Sequence, residues 1–279
     1  MDSRTFLGLH TGDRPGRWSL DVTPRLLTGG GFMFGGSGLG AAISALEGES
    51  GRECVWATAQ YLSYARLDET VDIDVTLAVV GHQITQARAV CHVGDREILT
   101  VNAALGNRPL EVGGRFERMP EVPPPMECPV RRHRGPVEGT INERLEQRVA
   151  KARPHRQLDG THGDGQTLMW ARIPEVIDGV DATTLGILGD FVPMGVGQAL
   201  GVLGGGNSLD NTLRVVSLVP TEWVLLDIRV HGVDRGFGHG LVHMFAEDGT
   251  LLATASQSCI VRFWDTRSRR SAADDADGA

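Results

Sequence analysis

The sequence predicts an α+β protein in which one small fold occurs twice. Two three-stranded antiparallel meanders recur about 152 residues apart, a glycine-rich helical segment precedes each, and a proline-rich stretch separates the halves. In the first meander "VDIDVTLAV", 71–79, sets Val71, Ile73, Val75, Leu77 and Val79 on one face and Asp72, Asp74 and Thr76 on the other, the period-2 alternation of a half-buried strand. "ARAVCHV", 87–93, and "EILTVNAAL", 97–105, continue it across turns carrying "VGHQ" and "VGDRE". The second meander runs "EWVLLDIRVH", 222–231, "GHGLVHMF", 238–245, and "LLATASQSCIV", 251–261. Offsets of 152 to 153 align Leu77 with Arg229, Gly81 with Val233, Asp95 with Asp248 and Leu99 with Leu252. The identities are few, and the order and spacing of elements carry the repeat.

The helical segments are "GGGFMFGGSGLGAAISALEG", 29–48, and "LGDFVPMGVGQALGVLGGG", 188–206. Leu39, Ile43 and Leu46 form an apolar stripe at helical spacing, among small residues that allow close approach of a neighbouring layer. Each glycine costs a helix about 1 kcal/mol relative to alanine, so this many require a packing or ligand reason. The stretch 107–145 contains "PEVPPPMECPVRRHRGP" and reads as a linker, and "RSRRSAADDADGA" as a disordered tail. A strand, a central helix and an antiparallel meander make the plan of a hotdog fold. The expectation is a double hotdog, two central helices wrapped by antiparallel sheet. Its parts are an N-terminal unit over 1–107, a linker over 108–145, a C-terminal unit over 146–265 and a tail over 266–279.

The chain has 279 residues, enough for a sizeable core, and a formal net charge of −8. That balance argues against nucleic acid as a partner, which needs a basic face. Cys54, Cys91, Cys128 and Cys259 are far apart and contain no C-x-x-C pair, so they read as free thiols in a reducing compartment. The N-terminal "MDSRTFLGLH" has no signal-peptide pattern, and no apolar run reaches membrane-spanning length. A cytoplasmic protein is expected.

Five stretches in order, "FGGSGLGAAISAL" at 34–46, "DFVP" at 190–193, "SLDN" at 208–211, "EWVLLD" at 222–227 and "DGTLLATASQ" at 248–257, resemble the acyl-CoA thioesterase II family. The resemblance covers roughly 5–107 and 146–264. It implies hydrolysis of acyl-CoA thioesters in a homo-oligomer, without cofactor or metal. The family's water is held by an aspartate after "SL", a hydroxyl residue on the following long strand and a glutamine on the last strand. By motif these fall at Asp210, near Val230–His231, and at Gln257. No hydroxyl stands at the second position, and His231 is the group there able to accept a proton. The repeat places Thr58 opposite Asp210 and Ala104 opposite Gln257, which predicts one site per chain. Asp210 also suits a turn, Gln257 a structural amide, and His231 a solvated strand end.

Gly35 and Gly36 open the first helix, where unpaired N–H groups can hold an oxyanion. Arg131, Arg132, His133 and Arg134 form a basic run that reads more readily as a solvated linker than as a contact for CoA phosphates. "GGSGLG" is neither a nucleophile elbow nor a dinucleotide loop. His239 and His243 lie on a strand without a carboxylate third ligand, so no metal is expected. Two other readings compete: a hotdog enoyl-CoA hydratase using "DRGFGH", 234–239, and a non-catalytic acyl-CoA binding module.

Overall fold

The computed structural model describes residues 1–133 and 138–263. Arg134 and the expected tail over 266–279 lie outside them. The described strands are β1 (Leu9–Thr11), β2 (Arg17–Asp21), β3 (Cys54–Tyr61), β4 (Thr70–Val80), β5 (Ile84–Val93), β6 (Arg96–Gly106), β7 (Glu146–Lys151), β8 (Gln166–Arg172), β9 (Gly204–Val215), β10 (Val224–Asp234), β11 (Phe237–Ala246) and β12 (Leu251–Phe263). They form one antiparallel sheet in the order β1-β2-β4-β5-β6-β3-β9-β12-β11-β10-β8-β7. Read inward from each edge, the two halves have the same plan, and they meet at β3 and β9. The helices are α1 (Ser3–Leu7), α2 (Gly35–Ser50), α3 (Ile141–Arg144), α4 (Ala182–Leu188) and α5 (Val192–Leu200).

The seam fixes the internal symmetry. Thr58 pairs with Thr212, flanked by Gln60 with Asp210 and Trp56 with Arg214, and the two threonine hydroxyls lie 2.6 Å apart across a separation of 154 residues. An offset of 154 therefore relates the halves here, because bulges add residues that a uniform offset of 152 ignores. The counterpart of Asp210 is Trp56 rather than Thr58. Thr58 pairs with Asn102 and Thr212 with Ser256, so the counterpart of Gln257 is Ala103 rather than Ala104.

The first helical segment folds as α2. Its stripe of Leu39, Ile43 and Leu46 is fully buried. Its glycines answer to packing: a Cβ on Gly40 would stand 2.9 Å from Ile187 Cγ1 and 3.0 Å from the Thr183 carbonyl oxygen, and one on Gly186 would stand 3.0 Å from Ile43. Small residues let α2 and α4 cross at contact. The second segment departs from expectation. It breaks at Gly189–Phe191, where α4 ends on Gly189 and α5 begins with Pro193 in its first turn. Its last glycines, Gly204 to Gly206, belong to β9 and pair with Phe263, Arg262 and Val261. They are strand, not the end of the helical segment.

The alternation over 71–79 is buried only under the helix. Val71 and Ile73 are in the core, while Val79 is 60% exposed beyond a register shift between Leu77 and Val79. The stretch expected as a solvated linker packs on the sheet face turned away from the helices. Met119, Val122 and Cys128 join Leu168, Trp170, Trp223, Leu225, Phe245 and Leu251 in a second apolar cluster. Trp170 Nε1 donates to the Pro123 carbonyl at 3.0 Å. Val149 N–H donates to Pro129 at 2.8 Å and Arg131 N–H to Gln147 at 2.8 Å, which pairs part of the β7 edge. No described helix is long and apolar enough to cross a membrane.

Candidate functional site

The break between α4 and α5 places Asp190 at the middle of the molecule. Its side chain is 6% exposed and accepts from three directions: Gly36 N–H to Oδ2 at 2.8 Å, Ser208 Oγ to Oδ1 at 3.0 Å, and Gln257 Nε2 to Oδ1. Gln257 Nε2 also reaches Ser208 Oγ at 2.7 Å. Gly36 and Asp190 are 154 residues apart, the offset of the seam, so they occupy corresponding places in the two halves. One half contributes the carboxylate and the other the glycine N–H, and a second copy of the site is not formed.

Burial pushes the Asp190 carboxyl up from 3.8 to about 6, against the lowering effect of its three donors. A cavity of about 990 Å³ lies against it, lined there by Asp190, Ser208, Gly35, Tyr61 and Phe191. Tyr61 OH donates to the Gly35 carbonyl at 3.0 Å, and burial pushes the phenol well above its usual range. Gln257, 3% exposed, is not among the lining residues and holds Asp190 from behind.

The sequence-predicted residues fare differently. Gln257 is in the cluster, but its partners are Asp190 and Ser208, and no hydrogen bond joins it to Asp210 among the described residues. The register explains this. Gln257 pairs with Asn211 and Ser258 with Asp210, so Gln257 and Asp210 belong to adjacent cross-strand rows, which face opposite sides of a sheet. Asp210 Oδ1 instead accepts from Ser258 N–H at 2.7 Å. Leu209 is skipped in the pairing, a bulge that returns Ser208 to the helix side opposite Cys259.

His231 is also a correction. It is exposed and is skipped between Val230 and Gly232 in the pairing of β10 with β11, with β11 and β12 between it and β9. Gly36 cannot serve as a free oxyanion donor, because its N–H holds Asp190. Gly35 lines the cavity, and its N–H opens α2, where no intrahelical partner is available. Asp234 and His239 of "DRGFGH" are exposed at a hairpin, with His239 Nδ1 3.1 Å from Ser258 Oγ. The basic run is not a solvated linker: Arg131, Arg132 and His133 line the cavity.

Asp190 and Ser208 were not among the site residues expected from the sequence. Asp190 lies within "DFVP", between a glycine that ends one helix and a proline that starts the next. The signal lay in that punctuation and in "DFVP" and "SLDN" themselves, two of the stretches that carry the family resemblance.

A profile of the acyl-CoA thioesterase C-terminal domain matches residues 119–261, just over half of the chain. The chain belongs to the acyl-CoA thioesterase family. Solved structures similar to this thioesterase include a protein of Novosphingobium aromaticivorans with a provisional thioesterase assignment, 28% identical, with a TM-score of 0.80 over 90% of this chain and 98% of that one. A protein of Alicyclobacillus acidocaldarius described as having a hot dog fold is 18% identical, with a TM-score of 0.80 over 93% and 97% of the two chains. An acyl-CoA thioesterase II of Mycobacterium marinum is 17% identical, with a TM-score of 0.72 over 95% and 99%. These likenesses give the thioesterase a hot dog fold. No curated protein sequence matches the chain.

Proposed function

We propose that this thioesterase is a double hotdog that hydrolyses acyl-CoA at the seam of its two halves, with Asp190 as the general base. The observation that supports this most is the buried Asp190 carboxylate, raised to about 6 and opening onto a cavity of about 990 Å³. Water held by Asp190 attacks the thioester carbonyl while the carboxylate takes its proton. The Gly35 N–H stabilises the oxyanion. The C–S bond then breaks, and the proton passes from Asp190 to the CoA sulfur. The carbonyl is electrophilic enough that this route needs no cofactor or metal. Gln257 and Ser208 orient the base, and the exposed Arg262 at the cavity offers a contact for CoA phosphates.

A second reading keeps Asp210 as the base, as the resemblance implies. It is favoured by the position of Asp210 two residues from Ser208 and one strand from Gln257. Free-thiol release from a panel of acyl-CoA substrates decides between them. A loss of about 10²-fold in kcat in Asp190→Asn, with Asp210→Asn near wild type, supports the first reading; the reverse pattern refutes it.

Units over 1–107 and 146–265 remain the proposed division, with Met119 to Cys128 of the stretch between them packed on the second. Four buried free cysteines support a cytoplasmic location. The exposed Val79 and Val80 at the end of β4 support a homo-oligomer, and a 30 kDa monomer in light scattering at micromolar concentration would reject it.

A further inference from the structure

The cavity wall has an uneven charge. In a chain of net charge −8, the wall carries Arg131, Arg132, Arg153 and Arg262, and Asp190 is the one carboxylate among the lining residues. That carboxylate is already held by Gly36, Ser208 and Gln257. Arg153 has acceptors at Gln157 and Thr161 and an ion pair with Asp159 at 3.4 Å. Arg132 and Arg262 are exposed.

Arg131 is the exception. Its guanidinium makes one side-chain hydrogen bond among the described residues, to Gln147 Oε1 at 2.5 Å, and no ion pair. Gln147 is itself buried, and its Nε2 has no partner there. Burial alone pulls the Arg131 guanidinium down from 12.5 to about 10, and no neighbouring acid counters it. Burial, and after it the same cation, holds His133 down to about 4. Arg131 is half-buried at the cavity wall, where its charge is only partly withdrawn from water and has no counter-charge among the described residues. A guanidinium presents a rigid fork of donors matched to a carboxylate or phosphate, and one donor is used here.

Position favours one anion over the other. The Arg131 guanidinium lies 6.0 Å from the ring of Phe191, the neighbour of Asp190. With the thioester carbonyl at Asp190, the phosphates of CoA are a whole pantetheine arm away, whereas a short acyl chain ends in this part of the cavity. We propose that Arg131 is a specificity residue that pairs with a carboxylate carried at the far end of a short acyl chain, so the preferred substrates are thioesters of dicarboxylic acids. This rests on the hydrolase reading of the Asp190 site.

The test compares kcat/KM for glutaryl-CoA and pentanoyl-CoA, acyl groups of equal length, in wild type, Arg131→Met and Arg131→Lys. Wild type is expected to favour glutaryl-CoA. Arg131→Met should lose tenfold or more on glutaryl-CoA alone, and Arg131→Lys should recover part of it. Equal losses on both substrates, or a wild-type preference for pentanoyl-CoA, would overturn the proposal. So would a loss on pentanoyl-CoA that vanishes with pentanoyl-pantetheine, which would make the ligand of Arg131 a phosphate. Calorimetric titration with free glutarate separates this inference from the proposed reaction. Arg131-dependent glutarate binding without any thiol release would sink the reaction and leave the carboxylate site standing. Thiol release from pentanoyl-CoA without glutarate binding would do the opposite.

Discussion

Asp190→Asn should make the protein more stable and nearly inactive at once. The carboxyl is raised from 3.8 to about 6, so the folded state holds the protonated form more readily than the unfolded chain does. Stability from this group is therefore full below pH 3.8 and is lost as pH rises through about 6. The difference is about 2 units, and at 1.36 kcal/mol each it makes the ionised carboxylate a burden of about 3 kcal/mol at neutral pH. Asparagine keeps the shape and removes that burden. One amide oxygen can still accept from Gly36 N–H, and its NH₂ can meet Gln257 once that amide turns over to present Oε1, which has no partner now. The expected gain is about 1 to 3 kcal/mol in denaturant unfolding at pH 7.5, shrinking toward zero at pH 4. Over the same range wild-type thiol release should fall roughly tenfold per pH unit below about 6, since only ionised Asp190 accepts the proton, and Asp190→Asn should lose 10²-fold or more in kcat, roughly 2.7 kcal/mol. A variant that is less stable than wild type yet hydrolyses acyl-CoA normally would refute both the electrostatic reasoning and the role of the base.

The remaining expectations concern what holds that group and the fold. Gln257→Leu removes a donor from Asp190 Oδ1, so the pH–rate inflection should move upward with kcat reduced; an unmoved inflection would show that Gln257 does not act through Asp190. Gly36→Ala places a Cβ 2.4 Å from the Ile187 carbonyl oxygen, a backbone atom that cannot yield, so unfolding should come about 2 kcal/mol or more earlier and activity should fall with the displaced N–H. Trp170→Phe breaks the bond to Pro123 and should cost about 1 kcal/mol while leaving kcat unchanged, because the second apolar cluster lies on the other face of the sheet from the site. Thr58→Val removes one hydroxyl of the seam pair, with a similar cost in stability and no change in rate.

Local pattern determined a good deal of this molecule. Period-2 alternation located β4, β5, β6, β10, β11 and β12, because each packs one face on a helix and the other toward solvent or the 119–130 segment. The small-residue stripe located α2, since only glycine and alanine let α4 approach that near. The recurrence exposed the two-part plan, because both copies meet the same packing demand. Gln257 was legible as an amide among apolar residues, which must find partners. The short strands β1, β2 and β7 left little trace, each being too brief for alternation to show. The site itself was decided by tertiary structure. Asp210 and Gln257 looked like partners in sequence, yet register puts them in opposite-facing rows, and one bulge at Leu209 turns Ser208 inward in place of Asp210. Asp190 stood inside the stretch 188–206 read as a single helical segment. Only the meeting of two half-folds at β3 and β9 brings it against Gly36, 154 residues away, and buries it deeply enough to raise its pKa. Hydrophobic periodicity reports which side of an element faces the core, and it carries no information on which distant element supplies the neighbour there.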